Sequence, residues 1–167
     1  VIIYPTETVW AIGCNASNSK SVSKIFQIKK RNENKPFICL LSHFDQLKHY
    51  VDPPTQKVRE KLNLNTHPTV IYPNCINELN HVSNNKNELA IRITPLKKLG
   101  LLIDAIQSPI VSTSANVSGE PFPRKFEDID KRIIDSVDII FNFNTKSSGN
   151  PSKIIRIDEF GALQYIR

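Results

Sequence analysis

The chain has 167 residues, 40% hydrophobic and 8% aromatic, which is enough to bury one core, so we expect a single domain over residues 1–167. Its 22 Lys and Arg against 16 Asp and Glu give a net charge of +6, which fits an anionic partner such as a nucleotide or RNA and fits a basic protein without one equally well. The three cysteines lack zinc or disulfide spacing, and no apolar stretch reaches membrane-spanning length. The composition therefore argues against a disulfide framework and a membrane protein, and favours a reducing cytoplasm.

The first half of the chain alternates between short apolar runs and segments with helical spacing. A polar loop, Thr6-Glu7-Thr8, separates the first apolar run from the second. The cationic end of the first helix suits a helix C-terminus. We predict strands over 1–4, 37–41 (after Pro36) and 69–72, an apolar segment over 9–13, and helices from Ser19 or Ser21 to Lys30, from Ser42 to Leu47 and from Pro53 to Leu64.

The second half continues this alternation and ends in two short strands. We predict strands over 89–93 (with Arg92), 110–111, 137–143, 154–157 and 163–166, the last two joined near Gly161. We predict a helix led by Pro95, with an apolar stripe at Leu99, Leu102, Ile103 and Ile106, and a second helix over 127–134. Loops are predicted over 73–87, 112–121 (polar) and 144–151. The alternation predicts an α/β fold, and the final hairpin makes its sheet mixed.

Two polar segments could bind an anion. Lys29, Arg31 and Lys35 place three cations within seven residues, which can converge on a polyphosphate if the chain turns after the helix. For such a run taken alone, a solvated basic helix end is normally the more common explanation. Segment 112–121 (S-T-S-A-N-V-S-G-E-P) offers several hydroxyl and N–H donors, and Gly119 can take a positive φ. A serine-rich surface turn is the alternative. Walker and G-x-G-x-x-G motifs are absent from the sequence.

Five motifs taken together resemble the threonylcarbamoyl-AMP synthase family (TsaC/YrdC-like proteins). They occur in family order and span nearly the whole chain: Y-P-T-E-T-V-W-A-I-G-C, I-K-K-R-N-E-N-K-P, A-I-R-I, S-T-S-A-N-V-S-G-E-P and N-P-S-K-I. The resemblance implies a twisted mixed β-sheet flanked by helices, YrdC-like, in a single domain with a basic cavity. The chain looks like the short, single-domain branch of that family. It departs from the family pattern in that the helix expected before the first strand is missing from this sequence.

The resemblance also implies the reaction. This family makes L-threonylcarbamoyladenylate and diphosphate from L-threonine, bicarbonate or CO2, and ATP. Partner proteins then transfer the threonylcarbamoyl group to an adenosine of tRNA. The expected location is the cytoplasm, with no membrane association. Mg2+ is expected to bridge the ATP phosphates, with no protein side chain predicted as its ligand.

Site roles are carried over residue by residue. The K-x-R and S-x-N motifs imply a catalytic set of Lys29, Arg31, Ser114 and Asn116. Lys29 is expected at the carbamate or α-phosphate, and the ATP-binding set is Arg31, Lys35, Ser114, Asn116 and Arg167. Threonine is expected to contact Thr8, Arg92, Ser112 and Ser152, with Arg92 pairing with its carboxylate.

Two other functions stay open on the sequence. Segment 66–69 (T-H-P-T) stands where the family usually has W-P-G-P-x-T, which keeps alive a YrdC-fold paralogue with a different substrate. The basic charge also allows a module that binds tRNA or double-stranded RNA, and direct tRNA binding could accompany the synthase activity. The sequence shows no aromatic platform among its cations, which argues against a single-strand binder.

Overall fold

The structure is a computed structural model that describes residues 1–32, 35 and 37–167. Within these residues, the strands are β1 (Ile2–Pro5), β2 (Trp10–Asn15), β3 (Ile38–Leu41), β4 (Thr69–Tyr72), β5 (Leu89–Ile93), β6 (Ile110–Ser114), β7 (Ile139–Ile140), β8 (Ile154–Ile157) and β9 (Leu163–Tyr165). They form one sheet in the order β7-β1-β2-β6-β3-β5-β4-β8-β9. Three pairs are parallel, β1–β7, β3–β5 and β4–β8, and the others are antiparallel. The predicted mixed α/β sheet and its terminal hairpin are confirmed.

Four α-helices and four short 3-10 helices connect the described strands. The helices are α1 (Ser19–Lys29), α2 (Gln56–Lys61), α3 (Lys97–Ile106) and α4 (Lys131–Ile134), and the 3-10 turns are Phe44–His49, Leu64–Thr66, Asn77–Leu79 and Phe126–Asp128. In the described part of the chain, no helix combines the length and apolar character needed to cross a bilayer.

The two faces of the sheet have different roles because side chains alternate along each strand. Cys39 of β3 pairs with Val111 of β6 and Ile91 of β5, and all three are buried in the main core beneath α1. The neighbouring positions point to the opposite face. There, Ile38 of β3 pairs with Ser112 of β6 and with Ala90 of β5.

This second face is only partly covered. Leu99 and Ile103 of α3 pack on it with Tyr4, Leu40 and Ile110 as a second apolar cluster. Beyond this cluster the same face forms the floor of a cavity, whose strand residues are Ala11, Ile38, Leu40, Thr69, Ile71, Ala90, Arg92, Ser112, Ser114 and Ile154. Helix α3 covers only one part of the face, so the polar side chains of β5 and β6 face the cavity in the other part.

Several predicted helices begin or end at residues other than the expected ones, and local features of the chain explain the differences. Asn18, rather than Ser19 or Ser21, caps α1, and its side chain accepts a hydrogen bond from Ser21 N at 3.0 Å. The helix expected from Pro53 begins at Gln56. Helical geometry is disfavoured for a residue that precedes a proline, as Pro53 precedes Pro54. It ends at Lys61, before Asn63 adopts a left-handed φ of 44°.

Other elements are shorter than predicted or of another type. The helix expected from Ser42 is a 3-10 turn, and Pro36, the expected start of the third strand, lies outside the described residues. The helix expected over 127–134 is interrupted by extended Ile129, after which Asp130 caps α4 through Arg132 N. The strand expected over 137–143 is reduced to β7, because its partner β1 ends at Pro5, which lacks a backbone donor.

Parts of two predicted loops have regular secondary structure instead. Ser112 and Ser114, expected in a loop, belong to β6, because Ser112 pairs with Gly13 and Ser114 with Ala11 of β2. Gly119 has the expected positive φ, 93°. The loop expected over 73–87 contains the 3-10 turn at Asn77–Leu79, and Leu79 is fully buried in the core.

Close packing of β2 against β6 predicts that the Gly13→Ala variant is destabilised. A Cβ at Gly13 would lie 2.2 Å from Val111 O and 2.9 Å from the Tyr4 hydroxyl, so the strands would have to move apart. We expect a loss of about 1–3 kcal/mol in the free energy of unfolding, measured by urea denaturation. Gly100→Ala is the control, because its Cβ meets no atom closer than 3.6 Å and lies in α3, where alanine adds up to about 1 kcal/mol of stability. Equal effects at the two positions would contradict this prediction.

Candidate active site

A cavity of about 360 Å3 opens on the partly covered face of the sheet. Its floor is formed by the strands named above, and its walls come from the loops after β1, α1 and β6 and from the segment before β8. The volume is within the range of small-molecule sites. Its polar lining consists of Thr6, Glu7, Thr8, Arg31, Thr69, Arg92, Thr94, Ser112, Thr113, Ser114, Ser152 and Arg167.

The end of α1 directs Arg31 into this cavity. Lys30 adopts a left-handed conformation with a φ of 49°, and Arg31 N bonds to Phe26 O at 3.0 Å, so the chain reverses directly after the helix. Arg31 Nε donates to Lys35 O at 2.9 Å, and its guanidinium carbon lies 5.1 Å from the centre of the Phe37 ring. Burial lowers the pKa of Arg31. The side chain is therefore held in place at the cavity wall.

Lys29 lies immediately behind this wall and is only 1% exposed. Its Nζ lies 2.5 Å from Ser114 O, 2.6 Å from Asn116 O and 3.4 Å from Asn116 Oδ1. An ammonium group has three donors, and these three oxygens occupy them all. Burial, and secondarily the charge of Arg31, lower the pKa of Lys29 to about 7, while the oxygen acceptors favour its protonated form. Lys29 thus ties the end of α1 to the segment that follows β6.

That segment folds back on itself through its asparagine. Asn116 N donates to Ser114 O at 2.9 Å, and Asn116 Nδ2 donates to Glu120 O at 2.6 Å. Ser118 N donates to Lys29 O at 2.9 Å, which adds a second link between the segment and α1. Together these bonds fix the backbone beside Ser114.

An ion pair lies on the opposite side of the cavity floor. Arg92 Nη2 is 2.5 Å from Glu7 Oε1, and the two side chains are 9% and 22% exposed. Arg92 Nε is buried and has no hydrogen-bond partner among the described residues. Burial lowers the pKa of Arg92, and the charge of Glu7 opposes this shift. The guanidinium is therefore charge-compensated while part of its donor capacity is unused.

The loop that carries Glu7 is tightly hydrogen-bonded. Thr6 Oγ1 accepts from Thr8 N and Val9 N, both at 3.1 Å, and lies 2.8 Å from Thr8 Oγ1. Segment 147–149 is attached to this loop, because Ser148 N donates to Glu7 O at 2.9 Å and Gly149 N to Thr8 O at 2.8 Å. The loop geometry is thus fixed from both sides.

Two further hydroxyl groups and an arginine complete the rim. Ser152 Oγ lies 2.8 Å from Thr69 Oγ1 of β4, so the two hydroxyl groups share a hydrogen bond. Arg167 Nε donates to Ser152 O at 3.2 Å, and Ile154 N donates to Arg167 O at 2.9 Å. Ser152 and Arg167 therefore stay together although they are fifteen residues apart.

Seven of the ten predicted site residues line the cavity: Thr8, Arg31, Arg92, Ser112, Ser114, Ser152 and Arg167. Lys29 and Asn116 contact each other beneath the cavity wall, directly behind Ser114. The exposed Lys35 contributes its carbonyl group to Arg31, and its side chain is not part of the described lining.

Several lining residues had no assigned role in the sequence analysis, and three of them are considered further: Glu7, Thr69 and Phe122. Glu7 belongs to the quoted P-T-E-T motif, but its pairing with Arg92 depends on two strands that are far apart in the sequence. Thr69 is the last residue of the divergent 66–69 segment, and only the β4–β8 pairing brings it to Ser152. Phe122 is 46% exposed at the cavity, and an exposed aromatic beside a polar motif is the signal that could have identified it.

The described lining offers little to a metal ion. Glu7 is its single carboxylate, and it is already paired with Arg92. Searching the described residues finds no group of three or more His, Cys, Asp or Glu arranged to hold a metal. A divalent ion in this cavity would need most of its oxygen ligands from the substrate and water.

Several known proteins are similar to this chain. The family model Sua5_yciO_yrdC, described as "Telomere recombination", matches residues 1–167. A threonylcarbamoyl-AMP synthase of Buchnera aphidicola is 34% identical, covering 94% of this chain and 86% of that protein, and one of Xanthomonas axonopodis is 32% identical, covering 92% and 84%. The crystal structure of P. abyssi Sua5 complexed with L-threonine has a TM-score of 0.87 at 25% identity. It covers 99% of this chain and 49% of its own, so the chain spans about half the length of that protein.

The burial of Lys29 predicts an unusual titration of its amine. Its pKa of about 7 means that the group is an ammonium ion below pH 7 and loses its proton as the pH rises above it. We expect the NMR signal of the Lys29 side-chain Cε to titrate with a midpoint near 7, against about 10.4 for an ordinary lysine. The Lys29→Met variant assigns the signal by removing it. A midpoint above about 10 would show that the three oxygens outweigh burial.

Proposed function

Because the chain belongs to the Sua5/YciO/YrdC family, we propose that it is a threonylcarbamoyl-AMP synthase, which forms L-threonylcarbamoyladenylate and diphosphate from L-threonine, bicarbonate or CO2, and ATP. One observation carries this proposal beyond the family membership. A single cavity presents Arg92 on one part of its floor and Arg31 with Ser114 on another, so two anionic groups can be bound side by side. The L-threonine in the related Sua5 structure supports an amino acid as one of the ligands.

The reaction explains why such a cavity is needed. The ammonium group of threonine first gives a proton to water, and the free amine then adds to CO2 and releases a second proton to give a carbamate. A carbamate oxygen then attacks the α-phosphorus of ATP and displaces diphosphate. Both reactants are anions, so their approach is opposed unless fixed cations and hydrogen-bond donors compensate the charge. Positioning the two in line contributes more than a strong base could.

We assign the amino acid to the β5 part of the floor. Arg92 pairs with the threonine carboxylate through a charge-assisted hydrogen bond, and the hydroxyl groups of Thr8, Ser112 and Ser152 surround the remainder of the molecule. Strand β3 separates β5 from β6, and the registers place Arg92 level with Ile110, four residues along β6 from Ser114, so the backbones of Arg92 and Ser114 are about 16 Å apart. This leaves space for the carbamate and the α-phosphate between them.

We assign ATP to the part of the cavity beside α1. Arg31 offers a planar fork of donors that matches phosphate oxygens, and Ser114 adds a hydroxyl group. Arg167 lies on the same lining and contacts the nucleotide in this arrangement, and Lys35 approaches the phosphates from the exposed side. Mg2+ accompanies ATP and is held by phosphate oxygens and water.

The roles of Lys29 and Asn116 follow from their contacts. Lys29 holds the carbonyl groups of Ser114 and Asn116, and Asn116 in turn fixes the segment that presents Ser114. The predicted contact of Lys29 with the carbamate or α-phosphate stays a prediction. It would require the Lys29 ammonium to exchange one of its three oxygen partners for the substrate.

The product of this reaction is a reactive mixed anhydride that other proteins must consume. We propose that threonylcarbamoyl-transfer proteins deliver the group to an adenosine of tRNA in the cytoplasm. The net charge of +6 is compatible with direct contact to tRNA during this transfer.

The proposal is tested by measuring diphosphate release from the purified chain. We expect release with ATP, Mg2+, bicarbonate and L-threonine together, and loss of release when any one of them is omitted. Release that continues without threonine, or that starts only with another amine, would indicate a paralogue with a different substrate. A protein that makes no diphosphate but shifts tRNA at low salt would be an RNA-binding module.

Arg31 gives a sharper test of the ATP assignment. Arg31→Lys keeps the charge but loses the fork that pairs with two phosphate oxygens, and we expect kcat/KM for ATP to fall by about 10²- to 10³-fold. Lys30→Asn removes the neighbouring charge at an exposed position and keeps a residue that tolerates the left-handed turn, so it is expected to change this value by less than about threefold. Wild-type kcat/KM in Arg31→Lys would show that only the charge at this position matters.

A further inference from the structure

The Glu7–Arg92 pair has the charge pattern of an amino acid in reverse. Arg92 Nη2 and Glu7 Oε1 are 2.5 Å apart, so a positive and a negative group lie side by side on the cavity lining. In an α-amino acid the ammonium and the carboxylate are attached to one carbon atom. The two charged groups of the protein and the two charged groups of the amino acid are therefore opposite in sign and similar in spacing.

Pairing with Glu7 also explains how Arg92 can be buried in the absence of a ligand. An uncompensated guanidinium with 9% exposure would be strongly destabilising, and Glu7 supplies the opposite charge. The pair is nevertheless incomplete, because Arg92 Nε has no hydrogen-bond partner among the described residues. Because Nε is itself enclosed, an incoming carboxylate meets Arg92 at the part of the guanidinium that lines the cavity, in exchange with Glu7.

We propose that Glu7 and Arg92 together bind the substrate as a zwitterion, with Glu7 accepting the α-ammonium group and Arg92 the carboxylate. This inference rests on the proposed function and deepens it. Insertion of a zwitterion exchanges one ion pair for two and brings no net charge into the cavity. A ligand that carries only the carboxylate instead leaves Glu7 unpaired next to a second anion, which repels it.

Glu7 is suited to this role by its fixed backbone. The hydroxyl group of Thr6 closes the turn onto Thr8 and Val9, and Ser148 N bonds to Glu7 O from the other side. The carboxylate therefore belongs to a rigid loop, while its side chain is 22% exposed toward the cavity. A preorganised carboxylate loses little freedom when it binds the ammonium group.

The experiment compares L-threonine with 2,3-dihydroxybutanoate of the same configuration, in which a hydroxyl group replaces the amine. Binding to the full chain is measured by calorimetry without ATP. We expect the wild-type chain to bind threonine at least about tenfold more tightly. Equal affinities would overturn the proposal without any variant. If the wild-type chain binds no threonine, the proposed function fails instead.

The Glu7→Gln variant keeps the volume and an oxygen acceptor for Arg92 but removes the charge. We expect it to weaken threonine binding by about 10- to 100-fold and to leave binding of the hydroxy acid unchanged or stronger. In the diphosphate assay KM for threonine should rise with little change in kcat, and Glu7→Asp should restore part of the affinity. Equal losses for both ligands would show that Glu7 acts only through Arg92 and would refute the proposal.

Glu88→Gln is the matched control. Glu88 pairs with Arg156 on the same sheet, with Glu88 Oε1 3.2 Å from Arg156 Nε, and Glu88 and Arg156 are not part of the described cavity lining. We expect its threonine affinity to match that of the wild-type chain. A comparable loss in this variant would mean that removing any half-buried carboxylate weakens binding, and would also refute the proposal.

Discussion

The register of β6 between β2 and β3 is the constraint on which both the core and the cavity depend. It directs Val111 into the core and Ser112 to the cavity floor, where Ser112 pairs with Gly13 and Ile38. A shift by one residue would exchange these faces, burying a hydroxyl group without a partner and exposing an apolar side chain. Gly13 secures the close approach of β2, because any larger side chain would meet Val111 O.

The second constraint is the bond network that Lys29 makes between α1 and the end of β6. Helix α1 packs on the core face through Val22 and Ile25, yet its last residue reaches Ser114, which belongs to the cavity face. The left-handed Lys30 then turns the chain so that Arg31 enters the cavity. Core packing of one helix thus sets the position of two groups that we assign to ATP.

The sequence predicted the mixed sheet, α1 and α3, because these depend on local periodicity, and the family resemblance indicated seven of the residues that line the cavity. It did not predict that Asp130 would start a separate helix. The signal for that start is a single capping residue within a segment that otherwise has helical spacing. It also missed the pairing of Glu7 with Arg92 and of Thr69 with Ser152, because each joins segments about 85 residues apart. Such contacts follow from sheet topology, which periodicity alone does not specify.

The two buried cations of the site are compensated in different ways, and this difference separates their roles. Lys29 is surrounded by three neutral oxygens that use all its donors, so a substrate could reach it only by breaking an existing bond. Arg92 is paired with one carboxylate at the cavity lining, and its enclosed Nε has no partner among the described residues, so a ligand can exchange with Glu7. A saturated cation suits a scaffold, whereas an unsaturated one suits a binding site. By this physical criterion we propose that the lysine organises the segment beside Ser114 and that the arginine meets the amino acid.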